Sequence, residues 1–111
     1  MSLAVRSSYV YQYTSNLLTP WKKRHGIIYE DKINLNKSDD PSKVVLSIPL
    51  KDVSSIRRTE QKPYCFEMKY SGEKGSETSL LLSFGQEHDM FNWMDSIEKL
   101  SPQLCASLPK D

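Results

Sequence analysis

Hydrophobic and polar residues alternate with a period of two over most of the chain, a pattern typical of half-buried β-strands. The first alternating run covers about residues 6–14 and is rich in tyrosine. A second run, 21–29, is followed by the turn-forming pair Glu30-Asp31 and by a third run around Ile33 and Leu35. The second and third runs are therefore predicted to form a hairpin.

Four further alternating segments continue this pattern. They are residues 44–50, 53–59, 65–70 and 80–84. A polar, proline-containing stretch at 37–43 precedes the first of them, and 71–76 is rich in turn-forming residues. Pro49 has no backbone N–H to donate to a strand ladder, so we expect it at the end of a strand or on an edge strand.

The hydrophobic period lengthens after residue 86. Apolar residues then recur at helical spacing, at Met90, Phe91, Trp93, Met94, Ile97 and Leu100. Acidic residues occupy the other side, so the segment is a predicted amphipathic helix that ends near Pro102. The sequence therefore predicts a mainly β, α+β fold of about seven antiparallel strands, with one C-terminal helix covering an open edge or end of the barrel.

The composition fits one ordinary globular domain. The chain has 111 residues, of which 38% are hydrophobic and 26% charged. A domain of this size buries about two thirds of its unfolded surface, which leaves little room for an enclosed enzyme cleft. We interpret residues 1–5 as a leader or expression remnant, 6–101 as the folded domain and 102–111 as a tail.

The sequence also favours a cytosolic compartment. The longest aliphatic run is three leucines ending at Leu82, far short of the roughly 20 apolar residues of a membrane span. No secretory signal pattern is visible at the N-terminus. Cys65 and Cys105 lack metal-ligand spacing and are expected to be free thiols.

Charge is distributed unevenly along the chain. Residues 1–75 contain 13 Lys and Arg against 8 Asp and Glu, whereas residues 76–111 contain 2 against 6. Such a polarity can orient a small domain on an anionic surface, although ordinary solvated surface charge is an equal alternative.

No catalytic residue, metal ligand or cofactor site is predicted. The two histidines, His25 and His88, have no recognisable nucleophile or metal partner in sequence and are interpreted as a strand residue and a polar helix residue. The carboxylate pairs Glu30-Asp31 and Asp39-Asp40 lie in predicted turns, where aspartate favours local backbone hydrogen bonds. Glycine-rich phosphate loops and zinc-ligand spacing are absent from the sequence.

The most informative polar cluster is Lys22-Lys23-Arg24. On a strand, Lys22 and Arg24 point to one face and Lys23 to the other, so the first two can converge on one phosphate group. Lys32, on the facing hairpin strand, is predicted to add a further charge at the same open end, or mouth, of the barrel. Each such cation near an anionic leaflet contributes about 1 kcal/mol.

Apolar residues flank this cluster. Leu17, Leu18 and Trp21 lie in or beside the loop before it and are candidates for contact with the interfacial zone of a membrane. For Trp21, packing in the core is the favoured alternative.

Two tryptophans carry a resemblance to a known family. The segment Trp21-Lys22-Lys23-Arg24 resembles the W-x-K-R pattern in the second strand of pleckstrin homology (PH) domains, and Trp93 resembles the tryptophan of their final helix. The resemblance covers about residues 6–101. It implies a partly open barrel of two orthogonal antiparallel sheets with seven strands, capped by the helix, with Trp93 in the core.

A narrower resemblance joins four segments to the N-terminal PH domain of fungal PAK-type serine/threonine protein kinases. The segments are 45–50, 55–59, 64–68 and 91–97. The resemblance implies a cytoplasmic module that is peripheral at the membrane. Such a module binds phosphoinositide headgroups and brings a larger signalling kinase to sites of polarised growth.

The phosphoinositide motif of the family is matched in part. It has a basic residue late in strand one, followed by K/R-x-R in strand two, which Lys22 and Arg24 match. In this sequence Gln12 or Tyr13 stands at the strand-one position, and neither is a cation. Many members of the family also have a third-strand tyrosine that contacts phosphate, and here it is replaced near Leu35. The resemblance therefore implies weak or broad lipid binding.

A protein-interaction module is the alternative function. It would bind a Rho-type GTPase, an adaptor or the parent kinase through a sheet edge or through the region of Arg57 and Arg58. No nucleic-acid partner is predicted.

Overall fold

The computed structural model describes residues 3–15, 17–72, 75–101 and 103–104. The strands are β1 (Ala4–Tyr13), β2 (Trp21–Tyr29), β3 (Lys32–Lys37), β4 (Val44–Pro49), β5 (Val53–Thr59), β6 (Cys65–Ser71) and β7 (Glu77–Ser83), and the helix is α1 (Glu87–Leu100). A 3-10 turn, Leu50–Asp52, joins β4 to β5. The predicted order of elements is confirmed; β1 begins two residues and β7 three residues before the predicted starts.

All seven strands belong to one antiparallel sheet in the order β4-β3-β2-β1-β7-β6-β5. The β1–β7 junction is short, with Tyr11 opposite Ser83 and Gln12 opposite Leu82. The two sheets expected from the resemblance are thus two halves of a continuous sheet, joined at this junction. β4 and β5 are its outer strands, and Pro49 is the last residue of β4 as the sequence predicts.

The helix contacts the start of β1 and the edge strand β5. Arg6, near the start of β1, donates a hydrogen bond from Nε to Ser96 Oγ of α1 at 3.2 Å. Arg58 of β5 approaches Glu87, the first helical residue, at 3.3 Å. We call the open end of the barrel beside the β1–β2 loop the mouth; it lies at the other end of β1 from the Arg6–Ser96 contact.

The core lies between the inner face of the sheet and the helix. Its fully buried side chains include Val10, Ile28, Ile33, Leu35, Ile48, Phe66, Met68, Leu82, Met90, Trp93 and Ile97. The helical spacing of Met90, Trp93 and Ile97 places them on the face that contacts the sheet. Trp93 is therefore a core residue, as the resemblance implies.

Gly26 provides the space into which Trp93 packs. It lies in β2 with no side chain on the inner face, and a Cβ built there would be 2.6 Å from the Cη2 atom of Trp93. The indole cannot easily move away because Phe84 lies against it, with a ring-centroid distance of 5.4 Å. A glycine in mid-strand is thus explained by a close approach of the helix.

We expect Gly26→Ala to lower the free energy of unfolding by about 1–3 kcal/mol, because the new methyl group would overpack the buried indole. Urea denaturation followed by circular dichroism measures this change. Gly85→Ala is the matched control, since a Cβ at Gly85 meets nothing within 4 Å, and its expected change is within about 0.5 kcal/mol. Equal losses in the two variants would contradict the close-packing explanation.

Cys65 is a buried free thiol at the start of β6. Burial raises the pKa of this thiol to about 11. The thiol is therefore protonated and inert near neutral pH. Cys105 lies outside the described residues.

The predicted ends of the chain are described in part. Within the predicted leader, Ala4 and Val5 belong to β1, and residues 1–2 lie outside the described part. Within the predicted tail, Leu104 is buried, and Gln103 Nε2 donates to the carbonyl oxygens of Leu50 and Val53 at 2.8 and 2.7 Å. Across the described residues, the structure contains no helix with the length and apolar character needed to cross a bilayer.

Candidate anion-binding surface

Lys22 and Arg24 lie together at the mouth of the barrel, on the inner face of β2. Gly26 and Ile28 continue the same alternation and are buried in the core, which fixes the direction of this face. Both cationic side chains are half-buried because the barrel wall covers their aliphatic parts. The predicted pairing of these two residues on one face is therefore seen in the structure.

Gln12 occupies the neighbouring position on β1, directly opposite Lys22 in the strand register. Its side-chain Oε1 accepts a hydrogen bond from Arg24 Nε at 2.9 Å. The sequence motif of the family places a cation in this part of strand one. Here a neutral amide occupies the position, and it orients the guanidinium instead of adding charge.

Lys37 is a third cation at the mouth, and the sequence-based prediction did not include it. It is the last residue of β3 and lies directly opposite Arg24 in the register. Residues opposite each other on neighbouring strands have Cβ atoms about 5 Å apart, and like charges in such a pair destabilise the sheet. An anion bound between Arg24 and Lys37 would relieve that repulsion. The alternation of Ile33, Leu35 and Lys37 is the signal that could have identified this residue.

The predicted place of Lys32 near the same mouth is wrong. Lys32 begins β3 at the opposite end of the hairpin, where its Nζ lies 5.6 Å from the ring centroid of Tyr29. Arg24 and Tyr29 are five residues apart on β2, which is roughly 17 Å at the rise of a β-strand. The antiparallel register brings Lys37, and not Lys32, next to Arg24.

Lys23 lies on the outer face of β2, as predicted from the alternation. Its Nζ is 4.6 Å from the ring centroid of Tyr9, and the ring of His25 is 5.2 Å from the same tyrosine. Tyr9, Tyr11 and Tyr13 project on this face with exposed fractions of 52%, 39% and 46%. We call the residues Tyr9, Tyr11, Tyr13, Trp21, Lys23 and Lys62 the outer aromatic surface.

Trp21 belongs to this outer aromatic surface, so the expectation that it packs in the core is wrong. It is half-buried, and its ring meets the ring of Tyr13 edge-on at a centroid distance of 5.3 Å. Lys62, from the β5–β6 loop, places its Nζ 5.0 Å from the Trp21 ring and 5.9 Å from the Tyr11 ring. No local sequence pattern predicts this contact, because it depends on how the β5–β6 loop folds over the sheet.

Leu17 and Leu18 stand in the β1–β2 loop, beside the mouth. Their exposed fractions are 97% and 92%. Pro20 O, at the base of the same loop, accepts a hydrogen bond from the backbone N–H of Thr14. Two adjacent leucines almost fully in water are unfavourable for an isolated domain, and contact with another apolar phase would remove that cost.

Arg57 and Arg58, on β5, are engaged in ion pairs with residues of β6 and α1. Arg57 approaches Glu67 at 3.5 Å, and Arg58 approaches Glu87 at 3.3 Å and lies 5.5 Å from the Phe91 ring. These contacts use both cations within the molecule. The two arginines therefore favour a role in joining β5 to its neighbours.

The described residues contain no group of three or more His, Cys, Asp or Glu side chains arranged to hold a metal ion. The mouth presents the cations Lys22, Arg24 and Lys37 and the amide of Gln12, and such groups bind phosphate and carboxylate groups. A family model for the PH domain matches residues 4–102. The chain belongs to the PH domain family.

Two yeast kinases illustrate the similarity at the sequence level. The serine/threonine-protein kinase CLA4 of Saccharomyces cerevisiae is 28% identical over 102 residues, and the match covers 76% of this chain and 12% of the kinase. The serine/threonine-protein kinase SKM1 of the same yeast is 28% identical over 99 residues, with coverage of 76% and 15%. The resemblance to fungal PAK-type kinases is thus confirmed. The chain spans between 12% and 15% of the length of these relatives, and the PH domain that it shares with them is a non-catalytic module.

Solved PH structures confirm the fold. The Slm1 PH domain in complex with inositol-4-phosphate superposes with a TM-score of 0.71 at 15% identity, covering 88% of this chain and 96% of that chain. The DH/PH fragment of PDZRHOGEF in complex with human RhoA gives a TM-score of 0.75 at 18% identity, covering 91% and 29%. At these identities the similarity establishes the architecture alone.

Proposed function

We propose that this PH domain binds the phosphorylated headgroups of anionic membrane lipids and thereby brings a larger signalling protein, a PAK-type serine/threonine kinase, to the membrane. The observation that carries the proposal is the juxtaposition of Lys22, Arg24 and Lys37 at the open mouth. Arg24 and Lys37 lie directly opposite each other on neighbouring strands, so two positive charges are adjacent. Such a pair is stabilised by a bound phosphate.

The exposed leucines supply a second contact in this proposal. Leu17 and Leu18 project from the loop beside the mouth and enter the interfacial zone when the mouth faces the leaflet. One apolar anchor and a few cations give stable attachment only together, since single weak signals attach a protein to a membrane only marginally.

Lys23 takes part through the outer aromatic surface. Tyrosine and tryptophan rings are favoured at the boundary between headgroups and acyl chains, and lysine ammonium groups are attracted to anionic leaflets. Lys23 and Lys62 carry that charge on the outer face, next to Tyr9, Tyr11 and Trp21. Lys32 has no part in the proposed contact because of its place at the other end of the hairpin.

Recognition is expected to depend more on charge than on headgroup stereochemistry. Gln12 stands where a strand-one cation would be, so one charged contact to phosphate is replaced by a neutral one. Affinity for vesicles should therefore rise with the number of phosphates per headgroup. It should also fall with added salt, since exposed charges are screened within about 8 Å at physiological ionic strength.

The double variant Lys22→Ala/Arg24→Ala is expected to weaken binding to phosphoinositide-containing vesicles roughly 30-fold, because it removes two cations worth about 1 kcal/mol each near the leaflet. Co-sedimentation with vesicles at low and physiological salt measures the effect. Lys37→Ala should weaken binding about fivefold, whereas Lys32→Ala should leave it nearly unchanged because its ammonium lies beyond the screening distance from the mouth.

The matched control is Arg57→Ala/Lys99→Ala, which removes the same net charge on surfaces away from the mouth. Its vesicle affinity should stay close to that of the wild type. Equal losses of vesicle affinity in both double variants would show that binding depends on the net charge of the domain and not on the positions of Lys22 and Arg24. An absence of binding by the wild-type domain at physiological salt would refute the lipid-binding function and favour a GTPase or adaptor as the partner.

A further inference from the structure

The free edge of β4 differs from ordinary edge strands in its composition. Natural proteins protect such edges with charged side chains, often lysine, and with proline. The six residues of β4 carry no charge, and Val44 and Val45 are exposed to 53% and 41%. The opposite edge strand, β5, carries Arg57 and Arg58. Pro49, at the very end of β4, is the one protecting residue within that strand.

A cavity of about 460 Å³ adjoins this edge. It is lined on one side by Leu46, Ser47 and Pro49 of β4 and on the other by Tyr70, Ser71, Gly72 and Thr78 at the end of the β6–β7 hairpin, with Asp52 between them. Leu46 belongs to the inner face of β4, whereas Ser47 belongs to the outer face, where it donates a hydrogen bond to Asn34 Oδ1 at 2.7 Å. A cavity that touches both faces of a strand lies along its edge.

The cavity walls combine apolar surface with one acidic group. Leu46, Pro49 and the ring of Tyr70 provide the apolar part. Asp52 is half-buried, and no cationic group of the described residues lies within 4 Å of its carboxylate. Tyr70 is half-buried, and this burial raises the pKa of its hydroxyl.

We propose that the free edge of β4 and its adjoining cavity bind an extended segment of a partner protein as an added strand, with a lysine or arginine of that segment directed into the cavity. The backbone of β4 supplies ladder hydrogen bonds to the added strand, as in other cases of β-strand addition. The aliphatic stem of the bound cation packs on Leu46, Pro49 and Tyr70, and its charged head pairs with Asp52.

The charge of the cavity selects a basic segment over an acidic one. An acidic side chain would meet the Asp52 carboxylate, which has no cationic partner within 4 Å among the described residues, and like charges at close range repel each other. An uncharged apolar side chain fits the walls but brings no cation to the Asp52 carboxylate. This docking surface goes beyond lipid binding, and it uses none of the residues of the mouth.

The test uses synthetic heptapeptides of alternating valine and threonine with a variable central residue. Titration of the ¹⁵N-labelled domain, followed by amide chemical shifts, measures affinity and maps the contact. The lysine peptide is expected to shift the amides of β4 and of residues 70–72 and 78, and to show intermolecular cross-peaks to the backbone of β4. Peptides with norleucine and glutamate at the centre should bind progressively more weakly.

Three variants separate the charge of the cavity from its shape. Asp52→Asn should weaken binding of the lysine peptide roughly fivefold to tenfold and leave the norleucine peptide unchanged. Thr78→Trp fills the cavity and should weaken both peptides. Asp39→Asn, on the exposed β3–β4 loop, is the matched control and should change neither. The amide spectrum of each variant reports whether it is folded.

The proposal is overturned if the lysine peptide causes no shifts along β4, if its shifts map to Lys22 and Arg24 instead, or if Asp52→Asn and the wild type bind it equally. None of these results bears on vesicle binding. Vesicle co-sedimentation with Asp52→Asn should match the wild type, so the two proposals can fail separately.

Discussion

Trp93→Ala is expected to lower the free energy of unfolding by about 3–5 kcal/mol, because it leaves a large cavity between the helix and the sheet. Trp93 is 1% exposed and packs against Gly26 and Phe84. A domain of this size has about 5–15 kcal/mol of stability in total, so this one change removes a large part of it. Urea denaturation followed by far-ultraviolet circular dichroism measures the loss.

Trp93→Phe is the control that separates ring packing from hydrogen bonding. The Nε1 atom of Trp93 is buried and has no hydrogen-bond partner in the described part of the chain. Phenylalanine therefore removes a donor that contributes no hydrogen bond while keeping most of the ring contact, and its expected loss is less than half that of alanine. If the phenylalanine variant were as unstable as the alanine variant, packing of an aromatic ring would not be the cause.

The double variant Leu17→Ser/Leu18→Ser is expected to weaken binding to phosphoinositide-containing vesicles roughly 100-fold. Burying a leucine side chain is worth at least about 1.5 kcal/mol, and both leucines are almost fully exposed in the free domain. Their replacement should leave the free energy of unfolding nearly unchanged because they make few contacts with the core. Vesicle co-sedimentation and urea denaturation together provide the two measurements.

Leu3→Ser is the matched control for this prediction. Leu3 is 75% exposed and precedes β1, at the end of that strand remote from the mouth. Its replacement removes exposed apolar surface of the same kind without touching the proposed membrane contact. Weakening by Leu3→Ser to the same extent as by the loop variant would show that the β1–β2 loop has no special place in binding.

The mouth and the loop are predicted to act together. Added salt should weaken the contribution of Lys22, Arg24 and Lys37, whereas the contribution of Leu17 and Leu18 should persist. Removing either contact leaves a single weak signal, which explains why each double variant is expected to cause a large loss. In the proposed orientation the cations of the mouth face the leaflet, and Ser96 of α1 lies near the start of β1, remote from the β1–β2 loop.

The order of the elements follows from the sequence because it depends on local geometry. Successive side chains on a strand alternate between faces, and apolar residues three and four apart share one face of a helix. That is why the alternation in 21–29 correctly separated Lys22 and Arg24 from Lys23, and why the helical spacing placed Trp93 in the core. The PH family resemblance rested on these same locally determined positions.

The make-up of the site was decided by the tertiary structure. Strand register places Lys37 opposite Arg24 and moves Lys32 to the other end of the hairpin, and closure of the barrel leaves β4 with a free edge beside a cavity. The β5–β6 loop folds so that Lys62 covers Trp21 on the outer face. Local alternation says which face a side chain takes, but it does not say which strand ends and loops meet, because that depends on register and on contacts between residues distant in the chain.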